Sequence, residues 1–207
     1  MAILVFDTTG AECSVALRVK GHQDRVLSES IGRGHAERLA PMAQQMMDQA
    51  GLVPGALHRI GVTIGPGGFA GTRVGVAFAR GLALSSGAKA YGISNLAVTA
   101  HSLSQARPLA IVHDAKRGEV VIQIWSDGAG EAHRLSIEEA ADRVSGIDLA
   151  GGGARLVADE GQRILDGGKL DLVALLDLSE RAGEAQSPPT PFYVRPPDAK
   201  LPGGIDP

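Results

Sequence analysis

The residues with the plainest chemical potential in this 207-residue chain are two aspartates, a histidine and a run of glycines. Asp7 follows the apolar run Ile3 to Phe6 in "ILVFDTTG", and Asp114 follows a similar run in "LAIVHDAKRG". A carboxylate at the end of a strand is where an enzyme can hold a magnesium-bound water for phosphoryl chemistry, although acidic turn residues also serve local hydrogen bonding alone. The stretch "VTIGPGGFAGTRVGVAFARGLAL", Val62 to Leu84, runs from strand-like to glycine-rich to helix-like, an order shared by loops that bind phosphate. His35 opens "HAERL", and Gly151 to Gly153 form a second glycine cluster that either approaches a phosphate or makes a turn.

Each of these patterns meets a specific test. A Walker A loop needs Gly-Lys-Ser/Thr after glycine and four residues, but Pro66 stands five before Gly71 and Thr72 replaces the lysine. A dinucleotide fingerprint fits loosely through Gly65, Gly67 and Ala70, yet from Gln49 to His113 no Asp or Glu exists to hold a ribose. Anion capture by free N–H groups at the helix start needs no motif and stays open as a minor site built from Asp7, Gly67, Gly68 and Asp114. The alternative is that the glycines serve a sharp turn and close packing. A metal pair on a helix would need a second histidine four residues after His35, where Leu39 stands, so no metal is expected there. No G-x-S-x-G elbow occurs, and the only cysteine, Cys13, lies in a strand pattern as a small core residue. Lys116 and Arg117 read as a solvated basic turn.

The elements that must position these residues follow from periodicity. Ile3 to Phe6, "CSVALRV" and "RVLSES" read as three strands joined by tight turns, an antiparallel meander. After Gly34, Leu39, Met42, Ala43, Met46 and Ala50 share a helical stripe ended by Gly51, with Pro41 either kinking that helix or marking its first turn. Strand "RIGVTI", helix "GTRVGVAFARGLAL", a short strand around "AKAYGI" and a helix from a Ser94 cap towards Gln105 complete a βββαβαβα order. That order is the half-repeat of a ribonuclease H-like fold, in which a meander continues into a parallel sheet with helices on its faces. "PLAIVHDAKRGEVVIQIW" then repeats the logic of the N-terminus, and a capping box in "SIEE", a helix to Val144, strand "IDLA" and a helical stretch after Ala154 follow. The second half is thinner than the first. From Ser187 the chain is proline-rich and reads as a tail laid over the surface, anchored by Phe192 and Tyr193.

The helix after the glycine loop is apolar almost all round. Arg73, Ala77, Arg80 and Leu84 form one stripe, Gly75, Phe78, Ala79 and Leu82 lie opposite, and such a helix is expected to be covered on more than one side. With the methionine-bearing helix it makes a candidate partner interface of Leu39, Met42, Met46, Val74, Phe78 and Leu82. At 44% apolar the chain can bury a substantial core without metal or disulfide, and a net charge of −3 gives no footprint for binding nucleic acid unaided. The apolar start breaks at Asp7, so neither a signal peptide nor a membrane span is expected, and the lone cysteine suits a reducing cytoplasm.

"ILVFDTTGAECSVAL", "GRGHAERLAPM", "GPGGFAGTRVGVAFARGLAL", "DAKRGEVV" and "PFYVRPPDAK" together resemble the TsaB (YeaZ) family. The resemblance spans the chain and is sharpest at Gly65 to Leu84. It implies an actin-like α/β fold of two lobes, residues 1–106 and a reduced 107–207. It further implies a non-catalytic dimerization subunit, with no cofactor, that activates a TsaD-like catalytic subunit. The reaction is N6-threonylcarbamoyladenosine formation at adenosine 37 of tRNAs reading ANN codons. Implied partners are that subunit, a TsaE-like ATPase, a second copy through the same helices, and tRNA only through the complex. Where the family often shows "GPGSFTG", Gly68 and Ala70 stand here, which removes two hydroxyls from the loop. The rival from the residues is a free-standing actin-like ATP-dependent phosphotransferase using Asp7 and Asp114.

Overall fold

A computed structural model describes residues 1–103 and 108–193. The boundary between residues 106 and 107, the end of the helix expected to run towards Gln105, and the tail beyond Tyr193 lie outside the described residues.

The first sheet forms around central strands that are buried on both faces. It contains β1 (Ala2–Asp7), β2 (Glu12–Val19), β3 (Arg25–Ser30), β4 (Arg59–Thr63) and β5 (Lys89–Ile93), in the order β3-β2-β1-β4-β5. β1 to β3 are the antiparallel meander, and β4 and β5 continue it in parallel. Every residue of β1 is buried, which a sheet covered on two sides requires.

One cover is α1 (His35–Gln49) with α2 (Phe69–Ser86). Leu39, Met42, Ala43, Met46 and Met47 of α1 and Val76 and Ala79 of α2 meet Leu4, Phe6, Val15 and Val62 in one core. Pro41 sits inside α1 on its exposed side, seven residues into the helix, so it does not mark the first turn. The edge strand β3 is tied to α1 by a two-pronged pair between Arg38 and Glu29, each contact 2.5 Å.

The other cover includes a helix that the sequence pattern left unmarked, α6 (Leu172–Arg181). Asp171 caps its start by accepting hydrogen bonds from the N–H groups of Val173 and Ala174. Leu172, Leu175 and Leu176 join Ile3, Val5, Ala16, Tyr91, Ile93 and Val98 of α3 (Asn95–Leu103). Arg18 on β2 reaches Asp24 in its own hairpin at 2.6 Å and Asp177 and Glu180 of α6 at 2.8 and 2.9 Å. Arg59 stacks on Tyr91 and donates to the carbonyls of Ser179 and Ala182, capping the end of α6.

The second sheet follows the order β8-β7-β6-β9, with β6 (Leu109–Lys116), β7 (Glu119–Trp125), β8 (His133–Ser136) and β9 (Asp148–Ala150). α4 (Ile137–Val144) starts at the expected capping box, Ser136 with Glu139, and packs with the single turn α5 (Ala154–Val157) on one face. α3 covers the other face through Leu96 and Ala100, against Leu109, Ile111 and Trp125. The second sheet is smaller, as expected. α6 lies after it in sequence yet packs on the first sheet, so α3 and α6 bind the two halves together.

Gly61 is where α6 comes closest, since a Cβ there would stand 1.9 Å from Ser179 Oγ. Gly61→Ala should therefore destabilise the fold by about 2 kcal/mol in urea unfolding. Adding Ser179→Gly should recover part of that loss, giving a coupling energy that two independent sites would not show.

Candidate functional site

Asp7 ends β1 inside the molecule, and its Oδ1 accepts three hydrogen bonds. They come from Thr9 N–H at 3.0 Å, Thr9 Oγ1 at 2.6 Å and, across the sheet, Thr63 Oγ1 at 2.5 Å. Thr9 Oγ1 in turn accepts from Asn95 Nδ2 at 2.6 Å, and the Asn95 side-chain oxygen accepts the Gly65 N–H at 3.1 Å. One carboxylate thus joins the first turn, β4, the glycine loop and the start of α3.

The glycine loop finds its explanation in the same place. The Gly68 N–H donates to the Thr9 carbonyl at 2.7 Å, so the Thr8–Thr9 turn already occupies the mouth of the loop. A Cβ on Gly71 would lie 1.9 Å from the Thr8 carbonyl oxygen, and one on Gly75 would lie 2.6 Å from Thr8 Oγ1. The glycines let the first turn lie directly on α2.

Asp7, Thr9, Glu12 and Asn95 from the first lobe face His113, Gly151, Gly152 and Lys169 across a cleft of about 400 Å³. Asp114 is not among the residues lining it. Its two oxygens accept the Lys116 N–H at 2.8 Å and Lys116 Nζ at 2.6 Å. Those contacts, the side-chain bond first, hold its carboxyl below the usual carboxylate range. Among the described residues no three His, Cys, Asp or Glu side chains gather where they could hold a metal ion. Three groups that could serve a magnesium-nucleotide are already engaged: Asp7 Oδ1 carries three donors, Asp114 binds its own turn, and the Gly68 N–H is given to Thr9. His113 is held below its ordinary value by burial, with Asp114 opposing and Lys116 adding to the shift. The Cys13 thiol is pushed up to about 11 by burial and then by Glu29 and Asp7, which makes it a poor nucleophile. His35 begins α1 and contacts the Glu12 carbonyl at 3.3 Å.

The expected interface residues divide. Leu39, Met42 and Met46 are at most 3% exposed and pack into the chain's own core, so they support the α1–α2 face from beneath and do not present themselves to a partner. Val74, Phe78 and Leu82 are half-buried, with Phe78 edge-on to Phe6 at 5.3 Å. The face turned outward on α2 carries Ala70, Arg73, Ala77, Arg80, Gly81 and Leu84. The Ser187 to Tyr193 segment lies against this helix. Phe192 N–H donates to the Ile64 carbonyl at 2.8 Å, and the Tyr193 hydroxyl accepts from Arg73 Nε at 2.9 Å.

Residues 22–166 match the family model described as "TsaD: tRNA N6-adenosine threonylcarbamoyltransferase". The tRNA threonylcarbamoyladenosine biosynthesis protein TsaB of Haemophilus influenzae is 34% identical over 123 residues, 58% of this chain and 52% of that one. The chain thus spans about half the length of that relative. Among solved structures, YeaZ from Pseudomonas aeruginosa superposes with a TM-score of 0.77 at 26% identity, covering 93% of this chain and 99% of that one. The chain belongs to the TsaB (YeaZ) family. The activator of 2-hydroxyisocaproyl-CoA dehydratase from Clostridium difficile, with bound ADPNP, shares the fold alone, at a TM-score of 0.50 and 12% identity over 93% of this chain and 100% of that one. The fold is accordingly the actin-like one, and no described helix is long and apolar enough to cross a membrane.

Thr63 and Asn95 are the site residues that motif reading misses, because neither stands near Asp7 in sequence. Asp7→Ala should leave buried donors without an acceptor and cost about 3 kcal/mol in urea unfolding, whereas Asp7→Asn, which keeps an oxygen there, should cost less. His113 takes up its proton at a lower pH in the fold than in the unfolded chain, whose ordinary value is 6.5. Stability is therefore complete above that value and is lost as pH falls through it. Lowering the pH from about 7.5 to about 5.5 should reduce the melting temperature more for the wild type than for His113→Gln.

Proposed function

We propose that this chain is the non-catalytic subunit that binds and activates a TsaD-like catalytic subunit for N6-threonylcarbamoyladenosine formation at adenosine 37 of tRNAs reading ANN codons. The observation that carries this reading is the outward stripe of α2. Ala70, Ala77, Gly81 and Leu84 face solvent there, Leu84 at 89% exposure, beside the half-buried Val74, Phe78 and Leu82. Small side chains on an exposed helix let another helix approach closely, and contiguous apolar surface marks a partner site. The likeness to the TsaB (YeaZ) family is what suggests a TsaD-like subunit as the partner. In this proposal a TsaE-like ATPase joins the complex, tRNA is met only through it, a second copy competes for the same helices, and the protein works in the cytoplasm without a cofactor. Lobes 1–106 and 107–207 form a scaffold around that face.

The rival reading as an ATP-dependent phosphotransferase requires two free carboxylates across the cleft. Asp7 is held by Thr9 and Thr63, and Asp114 by Lys116.

The test is co-purification with the TsaD-like subunit of the same genome, together with a tRNA modification assay. Met46→Asp and Phe78→Asp would disturb the core, so the informative variants are Ala77→Asp and Leu84→Asp, which place a charge on the surface. Both should melt like the wild type, bind the catalytic subunit at least about tenfold more weakly and lower modification in parallel. Absence of any complex with the wild type, and modification that proceeds equally without it, would overturn the proposal.

A further inference from the structure

The cations between Gln49 and Leu103 are Arg59, Arg73, Arg80 and Lys89, in a stretch that contains no acid. Two of them are used within the fold. Arg59 is half-buried on Tyr91 and the carbonyls that end α6, and Lys89 pairs with Glu184 at 2.5 Å.

Arg73 and Arg80 are different. Both are exposed on the outward stripe of α2, and among the described residues neither meets a carboxylate. Each is instead fixed by an uncharged group of the Ser187 to Tyr193 segment. Arg73 Nε donates to the Tyr193 hydroxyl at 2.9 Å, and its guanidinium lies 3.8 Å from the Phe69 ring centre. Arg80 donates through Nε to the Pro189 carbonyl at 2.9 Å and through Nη2 to Thr190 Oγ1 at 3.3 Å. The segment restrains both side chains without neutralising either. Two guanidinium groups are thus preset seven residues apart, about 10 Å along the helix, with Ala77 between them and Gly81 and Leu84 beyond.

We infer that this pair selects the occupant of the α2 face: a helix of another protein carrying two carboxylates about two turns apart. The inference rests on the proposed function, in which that protein is the catalytic subunit, and it assigns partner choice to Arg73 and Arg80, with Tyr193 as a positioning residue. A second copy is a poorer match. Its exposed acids on α1 are Glu37 and Asp48, eleven residues or about 16 Å apart, and its α2 would bring two more arginines. RNA fits less well than a helix because the stripe between and beyond the arginines is apolar.

The experiment is calorimetric titration of the full chain with the TsaD-like subunit at about 50 and about 500 mM NaCl, a range over which exposed ion pairs are screened. Arg73→Gln/Arg80→Gln should melt within a degree or so of the wild type, bind about tenfold more weakly at low salt, and lose most of the wild type's salt dependence. Tyr193→Phe keeps both charges and frees one guanidinium. It should lower affinity about threefold while retaining the salt dependence. Equal affinity and salt response in the double variant would overturn this inference while leaving the proposed function intact. No binding by the wild type would overturn both. A loss that appears only in self-association by analytical ultracentrifugation, or only in binding of the isolated chain to tRNA, would assign the arginines to a second copy or to RNA and overturn it as well.

Discussion

Asp7 Oδ1 is a single acceptor with three donors converging on it, and the junction of the first lobe is arranged around that fact. A buried carboxylate is tolerable only when its charge is met by hydrogen bonds, and meeting it here draws the first turn, the end of β4 and, through Thr9, the start of α3 into contact. Pulling the Thr8–Thr9 turn inward presses it against α2. Glycine at positions 67, 71 and 75 follows from the distances that result. The position of α2, and with it the direction its outward stripe faces, descends from the solvation needs of one side chain.

The same arrangement turns much of the loop's backbone inward within an actin-like frame. The carboxylate, the glycine-rich helix start and the cleft are all present, but their hydrogen-bonding capacity is directed into the protein. The glycines that could bring a backbone near a phosphate bring it near the Thr8 carbonyl. The back of the helix stays exposed.

Much of the fold was readable because its elements carry their own signals. The meander, the methionine stripe of α1, the βαβα continuation and the Ser136–Glu139 capping box all lie where periodicity and caps place them. α6 carries little signal of its place, since a stretch following glycines and an aspartate does not show which sheet it covers, and β8, of four residues, is too short to show alternation. At the site, Asp7 and the glycines were visible but their use was not. Motif spacing can reveal a missing Walker lysine; it cannot reveal that Thr9 and Thr63 have taken the carboxylate. The stripe through Leu39, Met42 and Met46 is legible as apolar, but periodicity does not say whether such a stripe faces its own sheet or another molecule, and here it faces its own.

The late position of α6 bears on how the chain is made. Ile3, Val5 and Ala16 leave the ribosome early, whereas Leu172, Leu175 and Leu176, which cover them, leave after the whole second sheet. The first lobe therefore cannot close during synthesis as an independent unit. One face of its sheet remains only partly covered until Leu172 to Leu176 have been synthesised, an interval in which a chaperone or a neighbouring nascent chain has access to it.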